Sequence, residues 1–202
     1  MPKNIIFDVG EILLGYRWEY VLEVSGLSVE EGKRVRKLIF QDPLWYELDA
    51  GNIMLDEART LYRERYPKEA DSIAFFLQHP EMMPIARERV WKLLKDMKAA
   101  GYKVYVLSNY GKELFALHVK DAPFWEDVDG AVISYEVHVC KPDARIYETL
   151  LEKYGLDPED CVFYDDRPEN IEGAGACGIA GVCIESEEAL LAEMERLIEE
   201  AG

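Results

Sequence analysis

No apolar run in this 202-residue sequence approaches the length of about 20 residues that crosses a bilayer, so a membrane-spanning protein is not expected. Positive charge is in short supply: 23 Lys and Arg stand against 40 Asp and Glu, a formal net charge of −17. Such a surface repels nucleic acid and anionic lipid, which leaves neither as an expected partner. It also repels small anions, so an anion site in this chain needs cations of its own. Cysteine is scarce, and Cys140, Cys161, Cys177 and Cys183 show no Cys-x-x-Cys spacing. Cys140, Cys161 and Cys183 lie in or beside strand-like apolar stretches, where a free thiol behaves as a small buried hydrophobe. His79, His118 and His138 have no metal-ligand spacing and read as surface or helix-end residues. The first residues lack a basic segment followed by an apolar stretch and a cleavage site, so a reduced, cytoplasmic protein is the expectation. There are no internal repeats, and a composition 49% hydrophobic and 31% charged argues against disorder.

What is present begins with Ile5-Ile6-Phe7-Asp8-Val9-Gly10, where an apolar run meets a carboxylate and a glycine. A strand buried on both faces reads as such a run, and an Asp where it stops lies at the carboxyl end, where open α/β sheets place ligands. From Gly15 the pattern turns helical: Val29 to Phe40 with Ser28 as N-cap, Asp56 to Tyr66, and Glu69 to Leu77, with no strand pattern among them. Pro84 reads as the start of a long amphipathic helix ended by Gly101. Strands then alternate with helices. Lys103 to Leu107, Ala131 to Ser134, Cys161 to Tyr164 and Gly181 to Ile184 read as strands, and a helix is expected from Lys141-Pro142 through Tyr154. The expected fold is α/β, a Rossmann-like doubly wound parallel sheet with a small inserted all-helical domain. Residues 1–14 and 84–202 make the discontinuous core, and residues 15–83 the helical insertion.

Polar clusters end the strands or open the helices on one edge of this sheet: Asp8, Ser108-Asn109, Lys141 and Asp165-Asp166. Singly, each reads as well as a turn, a cap or surface charge. Sheet topology brings them together. Converging carboxylates raise one another's pKa values unless a cation sits among them, and a hard divalent ion such as Mg²⁺ suits oxygen ligands plus a substrate phosphate. Ser108 and the backbone N–H after it can hold phosphate oxygens, and Lys141 supplies positive charge to the phosphate and to Asp8. Asp8 can then attack phosphorus, and water hydrolyses the aspartyl-phosphate.

Phe7-Asp8-Val9-Gly10, Val106-Leu107-Ser108-Asn109, Lys141-Pro142-Asp143-Ala144-Arg145-Ile146-Tyr147 and Phe163-Tyr164-Asp165-Asp166-Arg167-Pro168-Glu169-Asn170-Ile171, in that order, resemble the motifs of the haloacid dehalogenase-like (HAD) hydrolase superfamily. The helical insertion resembles that family's small cap. Within it, Trp45-Tyr46-Glu47-Leu48-Asp49-Ala50-Gly51-Asn52-Ile53 resembles the branch containing bacterial glucose-1-phosphate phosphatases and the N-terminal phosphatase domain of epoxide hydrolases. The resemblance implies that Asp8 is the nucleophile and a Mg²⁺ ligand, joined by the Gly10 backbone carbonyl and Asp166. It implies phosphate binding by Ser108 and Asn109, charge neutralisation by Lys141, a supporting place for Asp165 and an outer one for Asn170. Tyr16, Arg17, Trp18, Trp45 and Tyr46 are expected to face the site, Arg17 reaching a sugar hydroxyl or an anion. For Trp45 and Tyr46, packing inside the cap is an equal reading. The partner is then a small phosphate ester, with a sugar phosphate first, and the choice between monomer and homodimer stays open.

One departure stands out. Most phosphatases of this family read Asp-x-Asp in the first motif, and the second Asp protonates the leaving group. Here that position is Gly10. General acid catalysis contributes a factor of about 10²–10⁴, so three readings compete. The substrate carries a good leaving group; another acid serves, Glu11 being nearest in sequence; or the protein is a catalytically impaired binding or regulatory member of the fold. A haloacid dehalogenase also uses an Asp nucleophile, but without a metal, which leaves Asp165-Asp166 unexplained.

Overall fold

The computed structural model describes residues 2–201. Its centre is a five-stranded parallel sheet in the order β5-β4-β1-β6-β7, formed by β1 (Asn4–Phe7), β4 (Lys103–Ser108), β5 (Gly130–Ile133), β6 (Cys161–Asp165) and β7 (Ala180–Cys183). β1 lies in the middle. Side chains alternate across a strand, and the packing follows that period: Ile5, Phe7, Val104 and Val106 enter one cluster, while Ile6, Tyr105 and Leu107 enter the other. α6 (Glu88–Ala99) and α11 (Glu187–Ala201) contribute Val90, Leu94, Leu190 and Met194 to the first cluster. α9 (Ala144–Tyr154) and α10 (Pro168–Ala176) contribute Ile146, Tyr147, Leu150 and Ala174 to the second. The expected doubly wound sheet is therefore the observed one.

Between β1 and β4 the chain leaves the sheet through a two-stranded antiparallel ribbon of β2 (Leu14–Tyr16) and β3 (Pro84–Ala86). The helices α1 (Trp18–Val24), α2 (Val29–Phe40), α3 (Pro43–Asp49), α4 (Leu55–Arg65) and α5 (Ala70–Gln78) lie between those strands. Ser28 caps α2 with a full capping box to Glu31, as its sequence implies. The remaining short helices are α7 (Lys112–His118) and α8 (Ser134–Val137).

Three expectations are corrected. Pro84 does not open a helix: it pairs with Tyr16 in the ribbon, Ile85 is exposed, and α6 begins only at Glu88. The apolar spacing of Ile85 with the later helix misled, because a three-residue strand is too short to show its own period. α9 begins at Ala144 rather than at Lys141-Pro142, with Asp143 as the N-cap accepting from the Arg145 N–H at 3.0 Å. Cys183 is exposed, because β7 is an edge strand. His118 is a helix-end residue as expected, the last of α7, and is buried there.

Candidate active site

The register of the central strands gathers the chemistry. Phe7 pairs with Val106 on one side and with Tyr164 on the other. One step further along the chain, Asp8 therefore comes level with Leu107 and Asp165, and Ser108 follows at the same edge. Lys141 arrives from the loop between α8 and α9.

Asp8 Oδ1 accepts from Ser108 Oγ at 2.6 Å and from the Val9 N–H at 2.7 Å, and lies 3.0 Å from Lys141 Nζ. Lys141 Nζ also donates to Asp165 Oδ2 at 2.6 Å and to the Leu107 carbonyl at 3.0 Å. Its donors are thereby satisfied, and it sits 4% exposed between carboxylates. Asp165 is wholly buried. Its Oδ1 accepts from the Arg167 N–H at 2.8 Å, and the Asn170 amide reaches both oxygens, at 2.9 and 3.1 Å. Asp165 thus anchors the loop and leaves Asp166 nearer the open cavity.

Asp8, Asp165 and Asp166 each offer an oxygen within 4.8 Å of the others. Burial pushes Asp8 up to about 7; Lys141 opposes the shift and Asp165 adds to it. Asp166 is pushed up to about 6, first by burial and then by Asp165. Burial alone would depress Lys141, but Asp8 and Asp165 outweigh it and its pKa is raised. One ammonium thus faces three carboxylates, an oxygen-rich and negative donor set that fits a small divalent cation. The residues present fit Mg²⁺.

A cavity of about 450 Å³ opens over these groups, with Asp8, Gly10, Asn109 and Asp166 in its floor. Tyr16, Trp18 and Trp45 line it as expected; Trp45 also packs edge-on against Phe40 at 4.6 Å. Two expected residues do not line it. Arg17 is exposed, its Nε donating to the Met82 carbonyl at 2.8 Å and its guanidinium over Tyr20, so the ribbon turns it away from the cavity. Tyr46 is exposed on α3. Asn109 is present but committed: its amide bridges both backbone groups of Lys141, at 2.7 and 3.0 Å. It clamps two motif loops together.

The cavity wall also holds residues that sequence reasoning passed over: Arg36, Gln41, Asp49 and Tyr110. Arg36 stacks on Trp18 at 3.9 Å and brings a guanidinium to the cavity wall, where Arg17 was expected to stand. Tyr110 sits in a polarised chain. His118 Nε2 lies 2.8 Å from the Pro80 carbonyl, His118 Nδ1 2.9 Å from Tyr110 Oη, and Tyr16 Oη 2.6 Å from Tyr110 Oη. A carbonyl only accepts, which assigns the proton to Nε2; neutral Nδ1 then accepts from Tyr110, and Tyr110 from Tyr16. Burial lowers the His118 pKa and keeps the ring neutral.

A parallel sheet whose carboxyl edge collects an acidic cluster, a buried lysine and a roofed cavity is the framework of a nucleophilic hydrolase. The chain belongs to the haloacid dehalogenase-like hydrolase family, whose sequence model matches residues 5–178. It is 24% identical over 200 residues to the sesquiterpene phosphatase astK of Aspergillus oryzae, covering 97% of this chain and 96% of that protein. It is 25% identical to the drimenol cyclase drtB of Aspergillus calidoustus, but spans only 34% of that longer protein. The solved HAD family enzyme bt-2542 of Bacteroides thetaiotaomicron, in complex with magnesium and inorganic phosphate, is 25% identical. It superposes with a TM-score of 0.72, covering 93% of this chain and 96% of that one.

Proposed function

We propose that the protein is a Mg²⁺-dependent phosphatase that cleaves a small phosphomonoester through an aspartyl-phosphate on Asp8. The observation that carries this reading is the hold on Asp8: three donors fix Oδ1, while Oδ2 has no hydrogen-bond partner among the described residues. A carboxylate so oriented is ready to act as a nucleophile. Mg²⁺, when bound, neutralises charge on the transferring phosphoryl group and keeps Asp8 ionised. Asp8, Asp166 and the Gly10 carbonyl would hold it. Asp165 and Asn170 keep the loop of Asp166 in place, and Lys141 keeps the developing negative charge balanced. The backbone N–H after Ser108 meets the phosphate oxygens, and the Ser108 hydroxyl, whose one proton goes to Asp8 in the free protein, turns to them when the ester binds, with the Asn109 amide held back for the loops.

Helices α1 to α5 act as a cap, residues 15–83, that roofs the cavity and chooses the leaving group. A sugar phosphate is the first substrate class, in keeping with the sequence resemblance to glucose-1-phosphate phosphatases and the epoxide hydrolase phosphatase domain. Gln41, Asp49 and Arg36 offer partners to hydroxyls. The aromatic wall of Trp18, Phe40, Trp45 and Tyr110 supports a second class, esters of flat or apolar alcohols. A metal-free dehalogenase has no use for the three gathered carboxylates.

The test is phosphate release from a panel holding both classes, with Mg²⁺ and with EDTA, beside Asp8→Asn. Release that needs Mg²⁺ and vanishes in the variant is the expected result. Release that survives Asp8→Asn contradicts the mechanism, and none from any ester supports the impaired reading drawn from Gly10.

A further inference from the structure

Gly10 leaves the leaving group without its usual proton donor. Besides Asp8 and Asp166, already assigned to the phosphoryl group and the metal, four carboxyl or phenol side chains line the same cavity: Tyr16, Tyr110, Glu11 and Asp49. Tyr16 and Tyr110 are removed by the polarity of their chain, since Tyr16 gives its one proton to Tyr110 at 2.6 Å and Tyr110 gives its own to His118 at 2.9 Å. Burial raises the Glu11 pKa and Arg87 opposes the shift, but Glu11 is tied to that cation, Oε2 to Nη2 at 3.0 Å, and a proton on it would have to break the pair. Asp49 has no cation within ion-pair distance among the described residues.

Asp49 is also fixed in place from the sheet side. It is the last residue of α3, and its backbone carbonyl accepts from Ser134 Oγ at 2.5 Å. Ser134 in turn accepts from the Tyr110 N–H at 2.8 Å, at the end of the β4 segment that carries Ser108. The next carbonyl, of Ala50, lies 2.9 Å from His138 Nδ1. Gly51 follows at φ +68°, and a Cβ there would come within 2.9 Å of the Tyr135 carbonyl, so the chain presses directly against the core loop. Three successive residues of the helical insertion are thus seated on the same platform as the nucleophile. A group held this way keeps its position relative to Asp8.

Resting on the phosphatase reading, we infer that Asp49 is the general acid of this enzyme, taking over from the helical insertion the task that position 10 has lost. As the P–O bond to Asp8 forms and the ester P–O bond breaks, the departing alkoxide takes the Asp49 proton. Water then attacks the phosphorus of the aspartyl-phosphate, Asp49 accepts the proton that water gives up, and phosphate leaves with Asp8 restored. Burial pushes the Asp49 carboxyl up to about 7; the Gly111 N–H opposes this and Asp8 adds to it. A carboxyl in that range keeps its proton to neutral pH.

Leaving-group dependence tests the assignment. Glycerol phosphate, an alkyl ester, needs a proton donor; 4-nitrophenyl phosphate scarcely does. Asp49→Asn is expected to lower kcat on the alkyl ester about 10²–10⁴-fold and on the aryl ester less than about tenfold, while Glu11→Gln shows no such split. Asp49→Ser serves the same comparison where the Asn variant does not fold. Equal losses on both esters, or the split appearing in Glu11→Gln, overturns the acid assignment alone. No Mg²⁺-dependent release from either ester by the unmodified protein overturns the phosphatase reading with it.

Discussion

The ring of Tyr16 occupies the space that a side chain at Gly10 would need: a Cβ on Gly10 would lie 3.1 Å from Tyr16 Cε2. The missing carboxylate of the first motif is thus matched by a ring that fills its place and is anchored to Tyr110. Gly10→Ala is expected to cost about 1–3 kcal/mol of stability by overpacking. Combined with Tyr16→Ala, the two costs should sum to less than their separate values. A double-mutant cycle in urea checks this, and strict additivity would contradict the contact. Gly10→Asp meets the same ring, so it gains no acid function until Tyr16 is made smaller.

Lys141 stands between Asp8 and Asp165 with almost no exposure. Replacing it by Met leaves buried carboxylates facing one another without compensation. The expected loss is about 3–5 kcal/mol in metal-free protein, partly recovered on adding Mg²⁺, read from urea midpoints.

The metal-free protein should lose stability as pH rises towards neutrality. Asp8 and Asp49 are raised to about 7 and Asp166 to about 6, all from 3.8. Groups raised in the folded state bind more protons there than in the unfolded chain, so their contribution is full below pH 3.8 and is lost as pH climbs through 6 to 7. His118 acts oppositely: its lowered pKa gives a contribution present above 6.5 and lost as pH falls through its folded value. Melting temperatures in EDTA between pH 5 and 8 should therefore fall with rising pH, and Mg²⁺ should flatten the slope.

Much of this arrangement was legible in the sequence, and the limits have physical causes. The strand ends at Asp8, Ser108 and Asp165 were readable because a doubly buried strand writes itself as an apolar run and parallel pairing fixes which ends meet. Asp49 was not, because it closes a seven-residue helix and only the tertiary contacts of Ser134 and His138 bring it to the cavity. The Tyr16–Tyr110–His118 chain joins residues 94 and 8 positions apart, and no spacing rule links them. Arg17 was misplaced because the ribbon of β2 and β3 sets its direction, and the short β3 reads as part of the following helix. Arg36 lay inside a well-formed amphipathic helix, where a charged residue ordinarily means a solvated face.

The central claim is that Asp8 carries the phosphoryl group. Acid quenching during turnover with Mg²⁺, followed by mass spectrometry of the peptide containing Asp8, measures this directly. The account predicts a phosphorylated Asp8 peptide that appears with substrate, decays after substrate is exhausted and is absent in Asp8→Asn. Turnover with the phosphoryl group on another residue, or turnover retained by Asp8→Asn, would contradict it.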